Sequence, residues 1–147
     1  EEEAHAIGIA LDQPVTSLRI GNVAGADAIL GGWHRGMRID LLPDGTTPRR
    51  SYIGGVELAK LIYQLSRIPH VPPVLNVALS GAIEARSLLD AAGLPWSYRR
   101  AGADVIPDVT LNVDLLGRVL GHAVPQVDAV KLVSDWQCGP RQPACAV

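Results

Sequence analysis

The sequence predicts an α/β fold, because segments of two periodicities alternate along the chain. Short runs of β-branched and apolar residues bounded by proline or glycine are typical of strands, and residues 15–20 and 74–78 are the clearest examples. Between them, residues 55–67 carry apolar side chains at helical spacing. Strands that alternate with helices favour a sheet whose strands end in loops able to carry a site.

The composition narrows the classes of function. Of the 147 residues, 48% are hydrophobic, which is enough for the core of one domain. With 13 basic and 15 acidic residues the net charge is −2, so no broad basic surface is expected. No apolar run reaches the roughly 18 residues of a membrane span, and the chain opens with glutamates rather than a basic leader. We therefore expect a cytoplasmic protein with no nucleic-acid or membrane partner.

The first third of the chain predicts one helix and two strands. Residues 4–11 place Ile7 and Leu11 on one helical face after an acidic start. Residues 15–20 follow as a strand rich in β-branched side chains. Residues 37–42 alternate well enough for a second strand, which a Pro-Asp-Gly turn closes.

The middle of the chain carries the strongest periodic signal. An amphipathic helix is predicted over residues 55–67, because four apolar residues recur at i, i+3, i+4 and i+7. These residues are Leu58, Leu61, Ile62 and Leu65. Several prolines then exclude its continuation and lead into residues 74–78, which predict a buried strand.

The last part of the chain predicts three helices and an edge strand. A helix over residues 82–93 has Gly93 as its C-terminal cap, and residues 96–99 are expected to pair at a sheet edge. Asp114 is the predicted N-cap of a helix that Gly121 ends. The apolar residues of the final helix are spaced by three: Val127, Val130, Val133 and Trp136.

The strand over residues 15–20 ends in Gly21-Asn22, a pattern with two interpretations. Backbone groups and an Asn amide at the carboxyl end of a strand can meet a ligand, because the crevices of open α/β sheets form at that edge. Alternatively, Asn22 only tolerates an unusual backbone angle in a turn. The residues alone leave both interpretations open.

Arg50 stands shortly before the helix predicted over residues 55–67. Its planar guanidinium can donate two parallel hydrogen bonds to a phosphate or carboxylate, which suits a ligand-binding loop. The alternative is that Arg49 and Arg50 are solvated surface charges.

Four segments, in the same order, resemble motifs of the extended short-chain dehydrogenases/reductases, the NAD-dependent epimerase/dehydratase family. Residues 18–25, Leu-Arg-Ile-Gly-Asn-Val-Ala-Gly, are similar to the family pattern Leu-Arg-x-x-Asn-Val-Tyr-Gly. Residues 50–59 are similar to the block Arg-Asp-Phe-Ile-x-Val-Asp-Asp-Leu-Ala. Residues 74–93 resemble the strand Tyr-Asn-Val-Gly with its following helix, and residues 108–116 the late Asp-x-Ser-Lys-Leu block. The resemblance covers residues 4–136 and departs from the pattern mainly at Ala24 and at Gly54-Gly55-Val56.

The resemblance implies where a site would lie. Ile20 and Gly21 would flank the cofactor, NAD or NADP. Asn22 and Val23 would face a small-molecule substrate, and Arg50 would contact its phosphate. Residues 1–137 would form the C-terminal part of a Rossmann-type fold with the small substrate-binding region, followed by a flexible tail over residues 138–147.

The family's cofactor-binding fingerprint and its catalytic pair are not found in the sequence. The glycine-rich pattern Gly-x-x-Gly-x-x-Gly, which seats a pyrophosphate at a helix N-terminus, is absent from the start of the chain. The pair Tyr-x-x-x-Lys, in which the lysine lowers the pKa of the tyrosine, is also absent. Tyr52, Tyr63 and Tyr98 are followed four residues later by other residue types. We therefore assign no catalytic residue and expect the N-terminal dinucleotide-binding part to be absent.

Three functional hypotheses follow. The first is a fragment of an NAD(P)-dependent epimerase, dehydratase or reductase, acting on a nucleotide sugar or a small carbonyl or hydroxyl substrate and inactive alone, whose full-length relative could be a homodimer. The second is a non-enzymatic binding or interaction module, and the third is an unrelated small α/β protein. The third hypothesis differs from the other two in one structural expectation: if the resemblance holds, residues 15–20 lead a parallel strand pair, and a structure without that pair favours the unrelated protein.

Histidine and cysteine add no site. The four histidines have no carboxylate or second histidine at i+3 or i+4, so no metal site is predicted. Cys138 and Cys145 are expected to be unpaired thiols, with a terminal disulfide as the alternative.

Overall fold

A computed structural model describes residues 1–138, and within them helices and strands alternate as predicted. In chain order the elements are α1 (Glu2–Ala10), β1 (Ser17–Ile20), β2 (Asn22–Ala24), β3 (Arg38–Leu41), β4 (Arg49–Arg50), β5 (Tyr52–Gly54), α2 (Gly55–Leu65), β6 (Val74–Val77), β7 (Ile83–Glu84), α3 (Ala85–Ala91), β8 (Ser97–Arg100), β9 (Asp108–Val109), α4 (Asp114–Leu120) and α5 (Ala129–Cys138).

Strands β1 and β6 form a parallel pair in the register Ser17↔Val74 to Ile20↔Val77. The predicted strands over residues 15–20 and 74–78 are thereby confirmed. Leu75 and Val77 of β6 are buried, as expected of a short apolar run. Within residues 1–138 each of the two strands pairs only with the other, so both outer edges of the pair lack a neighbouring strand.

The chain changes partner strands at Gly21. The Gly21 N–H donates to the carbonyl of Val77 at 2.9 Å, and the Asn22 N–H donates to the carbonyl of Ser51 at 2.9 Å. From there β2 runs parallel to β5. A side chain at position 21 would place its Cβ 2.8 Å from the Ser51 carbonyl oxygen, so the change of partner requires glycine.

Two further small sheets complete the fold. Strand β3 pairs in parallel with β8, in the register Arg38↔Ser97 to Leu41↔Arg100. Strand β4 lies between β7, which is antiparallel to it, and β9, which is parallel. The edge strand predicted over residues 96–99 is therefore present as β8, paired with β3.

Strand β5 lies between two hydrophobic cores. Its successive residues point to opposite sides, because side chains alternate along a strand. Tyr52 belongs to a core shared with α3 and α5, whereas Ile53 belongs to a second core shared with α2, β6 and α4. Every residue from Ser51 to Gly54 is buried. Because this short strand is held between two cores, it fixes the position of the residues next to its ends, including Arg50.

The predicted helices are present, with corrections at their ends and faces. The predicted N-cap Asp114 is wrong, since Val113 is the N-cap and Asp114 is the first helical residue. The Asp114 N–H donates instead to the Asn112 side-chain oxygen at 2.8 Å. Gly121, in the left-handed region, caps the C-terminus as predicted.

The final helix differs from its predicted spacing by threes. Val130 is 69% exposed and Val127 precedes the helix, while Leu132 and Val133 are buried. Ala129, Leu132, Val133 and Trp136 all contribute to the first core, and they stand at i, i+3, i+4 and i+7, the stripe that a 3.6-residue period requires. In α1 the predicted apolar face is also exposed at Ile7 and Leu11.

None of the helices within residues 1–138 is long and apolar enough to cross a membrane. Cys138 ends α5 with an exposed side chain, whereas Cys145 and most of the predicted tail lie outside the described residues.

Candidate functional site

A cleft of about 570 Å³ opens beside the sheets that β2, β3, β5 and β8 form. Asn22, Asp27 and Tyr52 line one part of it, and Asp40 and Arg99 line another. Its volume lies within the range of about 300–1,000 Å³ that is typical of small-molecule sites. A smaller cavity of about 160 Å³ is lined by Ile20, Gly21, Asn22 and Arg50, among others.

Asn22 and Arg50 line both cavities. The two residues were predicted from different motifs, and the parallel pairing of β2 with β5 brings them together because β4 directly precedes β5. Ile20 and Gly21 line only the smaller cavity. Val23, the remaining predicted site residue, packs against the second core and lines neither cavity. The binding roles of all five residues stay predictions.

Asn22 lies in an extended strand with an exposed side chain. Asn22 does not have a positive φ. Within residues 1–138, the residue other than glycine that does is Asp12, at 52°. The alternative interpretation of Asn22, as a turn residue that tolerates an unusual backbone angle, is therefore wrong. Its position follows from the change of partner at Gly21, which presents the side chain at the end of the β1–β6 pair.

Arg50 and Arg49 have different surroundings although they are adjacent. Arg49 donates to the Ala82 carbonyl at 3.0 Å and lies 3.7 Å from the Asp108 carboxylate. Arg50 is half-buried, and one of its terminal nitrogens donates to the Arg49 carbonyl at 2.7 Å. A guanidinium carries five N–H donors, so the fork of Arg50 keeps donors that can meet an anion in either cavity.

Asp27 connects the loop after β2 to Tyr52, and the sequence analysis did not identify it. Its carboxylate accepts a hydrogen bond from the Tyr52 hydroxyl at 3.0 Å. It also accepts four backbone N–H groups at 3.1–3.3 Å, those of Gly25, Ile29, Leu30 and Gly31. An Asp in a glycine-rich loop indicates such a local turn, but not its contact with a tyrosine 25 residues away.

The environment of Tyr52 keeps its hydroxyl protonated. Burial is the main cause that raises the pKa of this phenol, and the negative charge of Asp27 and its hydrogen bond act in the same direction. The nearby Asn22 side chain and the positive charge of Arg50 act in the opposite direction on this pKa. Tyr52 is therefore a hydrogen-bond donor rather than a base at any pH near neutrality.

Arg99 and Asp40 form an ion pair at another part of the cleft. They face each other in the register of β3 and β8 and make two hydrogen bonds, at 2.8 and 3.2 Å. The hydrogen bond from Arg99 is the main cause that lowers the pKa of Asp40, so this carboxylate is ionised at neutral pH. Arg38 and Asp104 lie nearby in the cleft lining. Sequence analysis missed this group because only the strand pairing brings it together.

The cavity at Ile20 and Gly21 is small for a cofactor site. Its volume is about 160 Å³, below the usual range for ligand sites. The sequence also offers no glycine-rich turn for a pyrophosphate at its start. Nor do three His, Cys, Asp or Glu side chains of residues 1–138 group in a way that could hold a metal ion.

The fold is a mixed α/β arrangement of parallel strand pairs, of the Rossmann-like kind found in nucleotide-sugar epimerases. Among solved structures, UDP-glucose 4-epimerase from Bifidobacterium longum, in complex with NAD+ and UDP, is similar with a TM-score of 0.67 and 18% identity over 92% of this chain and 51% of that chain. UDP-glucose 4-epimerase from Brucella ovis, in complex with NAD, is similar with a TM-score of 0.69 and 17% identity. The match covers 88% of this chain and 50% of that chain. The Bordetella bronchiseptica enzyme WbmG, in complex with NAD and UDP, is similar with a TM-score of 0.64 and 20% identity. The match covers 90% of this chain and 46% of that chain.

At these identities the similarity establishes the fold alone. The chain spans about half the length of the solved structures it matches. No protein-family model and no curated protein matches the sequence.

Proposed function

We propose that this chain is the C-terminal, substrate-binding portion of an NAD(P)-dependent epimerase, dehydratase or reductase, and that its cleft binds a nucleotide sugar. One observation carries the proposal: Asn22 and Arg50, predicted from separate motifs, line the same cleft. Similar structures were solved with UDP, which is the nucleotide part of such a substrate.

The charges of the cleft support a diphosphate ligand. Arg50 offers a guanidinium fork to one phosphate, and Arg38 adds a second cation to the lining. Arg99 is held by Asp40, so it adds little net charge but keeps further N–H donors. Apolar side chains such as Ile29 and Ile106 provide surface on which a base or sugar ring can pack.

The chain is proposed to bind substrate without transforming it. Epimerisation or dehydration by this family begins with transient oxidation of a substrate hydroxyl, for which NAD(P) supplies the hydride chemistry. The base for that step would be the tyrosine of a Tyr-x-x-x-Lys pair, which the sequence does not contain. Tyr52 cannot replace it, because its pKa is raised and its proton is held by Asp27.

The second candidate is a non-enzymatic module that binds the same ligand class. It is favoured by the same pair of observations, an organised cleft and no catalytic pair. The reading frame upstream of Glu1 separates the two: a Tyr-x-x-x-Lys sequence ending shortly before Glu1 supports the enzyme, and any other sequence supports the module.

Isothermal titration calorimetry with UDP tests the ligand class. We expect the chain to bind UDP more tightly than uridine, because Arg50 acts on the phosphates. Removal of a charged hydrogen-bond partner costs about 1.5–3 kcal/mol, so Arg50→Ala should weaken UDP binding about tenfold or more. Arg49→Ala is the matched control, since that side chain is held by Ala82 and Asp108, and it should leave the affinity unchanged. Equal affinity for UDP and uridine, or equal effects of the two substitutions, would contradict the proposal.

A further inference from the structure

We propose that Arg99 is a positioning residue: it engages the Asp40 carboxylate and thereby leaves the guanidinium of Arg38 free to bind a phosphate of the ligand. The inference rests on the proposed function, because the phosphate is that of the nucleotide proposed above. All three residues line the cleft, at the sheet that β3 and β8 form.

Arg38 and Asp40 lie on the same face of β3. Side chains alternate along a strand, and Ile39 between them is buried in the first core. Arg38 and Asp40 therefore point away from that core, with their Cβ atoms about 7 Å apart along the strand. A long arginine side chain can cross that distance, so Asp40 is a carboxylate that could neutralise Arg38.

The strand pairing gives Asp40 a different partner. Arg99 is the direct partner of Asp40 in the register of β3 with β8, so their side chains share a face. The Nε and Nη2 atoms of Arg99 donate to the two carboxylate oxygens at 2.8 and 3.2 Å. A bidentate pair of this kind is the strong form of the arginine–carboxylate contact. Both carboxylate oxygens of Asp40 are thus engaged by Arg99.

Arg38 is left without a carboxylate partner. In the part of the chain that the structure describes, neither Arg38 nor Arg50 takes part in an ion pair. The other carboxylates of the cleft do not compensate them. Asp27 is occupied by a tyrosine hydroxyl and four backbone N–H groups, and Asp104 is exposed, so solvent screens its charge. Two arginines without counter-ions in one cleft suit the two charged groups of a diphosphate.

The loss of Arg99 would change this arrangement. The Asp40 side chain is only 21% exposed, and a carboxylate in such a place is costly to leave without a hydrogen-bond donor. Arg38 is the cation on the same face of its own strand. Asp40 would therefore turn to Arg38 and withdraw it from the ligand.

Calorimetric titration with UDP tests whether Arg99 acts through Arg38. Arg38→Ala should weaken UDP binding about tenfold, as for the loss of a charged hydrogen bond, and leave uridine binding unchanged. Arg99→Ala should weaken UDP binding about threefold to fivefold, the effect of one surface ion pair formed with Arg38. In the Arg38→Ala background, Arg99→Ala should cause no further loss, because Arg99 acts only through Arg38.

A rescue experiment distinguishes positioning from direct contact. Asp40→Ala combined with Arg99→Ala should restore the affinity of the unaltered chain, since the carboxylate that captures Arg38 is then gone. Arg99→Lys, which keeps a cation beside Asp40, should bind UDP more tightly than Arg99→Ala. Arg100→Ala is the matched control: it removes a neighbouring charge from the opposite face of β8 and should leave the affinity unchanged. All of these positions lie outside the two hydrophobic cores, so the variants should fold.

The outcomes distinguish this inference from the proposed function. If the unaltered chain does not bind UDP, both fail. If UDP binds but Arg38→Ala or Arg99→Ala has no effect, only the positioning role is overturned. The same holds if Arg99→Ala weakens binding equally with and without Arg38, or if Asp40→Ala does not rescue it, because Arg99 then contacts the ligand itself.

Discussion

The backbone N–H of Asn22 donates to the carbonyl of Ser51 at 2.9 Å, and at this bond the chain leaves β6 and joins β5. The candidate site depends on that change. It presents Asn22 at the end of the β1–β6 pair and brings it beside the strand that follows Arg50. The small size of Gly21 is what allows the two backbones to approach.

Gly21→Ala should destabilise the chain. Its new Cβ would lie 2.8 Å from the Ser51 carbonyl oxygen and 3.2 Å from the Ala78 Cβ, and the contacting backbone cannot easily move. We expect the free energy of unfolding to fall by roughly 1–3 kcal/mol, as for other overpacked sites. Urea unfolding measures this change. Gly55→Ala, with no atom within 4 Å of the new Cβ, is the control and should not destabilise. Equal stability of the two variants would show that the approach is not tight.

Gly25→Ala should cost more stability than Gly36→Ala. Both glycines have positive φ, at 87° and 83°, so both substitutions carry a similar backbone strain. At Gly25 the new Cβ would also collide with the indole of Trp136, whereas at Gly36 it meets open space. The difference in the free energy of unfolding therefore isolates the contact with Trp136. A smaller effect at position 25 than at position 36 would refute it.

The ion pair of Asp40 with Arg99 should make stability depend on pH. Its hydrogen bond lowers the folded-state pKa of Asp40 below the ordinary value of about 3.9, so its contribution is present above that value. The contribution is lost as the pH falls through the folded-state pKa. Asp40→Asn should thus be less stable than the unaltered chain at pH 7, and the difference should vanish in strong acid. Thermal unfolding at several pH values tests this, and a difference that grows in acid would contradict it.

The exposed edge of β1 and the apolar residues of α1 should make the chain associate in solution. Neither outer edge of the β1–β6 pair has a partner strand within the part of the chain that the structure describes, and Ile9 on α1 is 83% exposed. Ile9→Lys should lower the particle size in light scattering, while Val130→Lys, at a 69% exposed position on α5, should not. A soluble monomer that unfolds cooperatively without any substitution would argue against the fragment interpretation.

Local sequence signals predicted the elements that are long or bounded by breakers. Strands β1 and β6 and helices α2 and α3 were predicted because their residues carry a clear period and end at glycine or proline. Strands β4, β7 and β9 have only two residues each, too few to show any period, and they exist because distant segments pair.

The candidate site was predicted only where a motif marked it. Asn22 and Arg50 stand at strand ends and resemble known motifs, so their neighbourhood could be anticipated. Asp27 and the ion pair of Asp40 with Arg99 escaped prediction because their partners lie 25 and 59 residues away. Only the three-dimensional pairing of β2 with β5 and of β3 with β8 reveals these contacts.

A titration of the 15N-labelled chain with UDP, followed by nuclear magnetic resonance, tests the substrate-binding cleft most directly. The proposed function predicts that the largest changes of chemical shift occur at Asn22, Arg50 and Tyr52, and that residues of α1 do not change. Changes spread over the surface, or confined to α1 and β1, would contradict it, as would a spectrum that does not change at millimolar UDP.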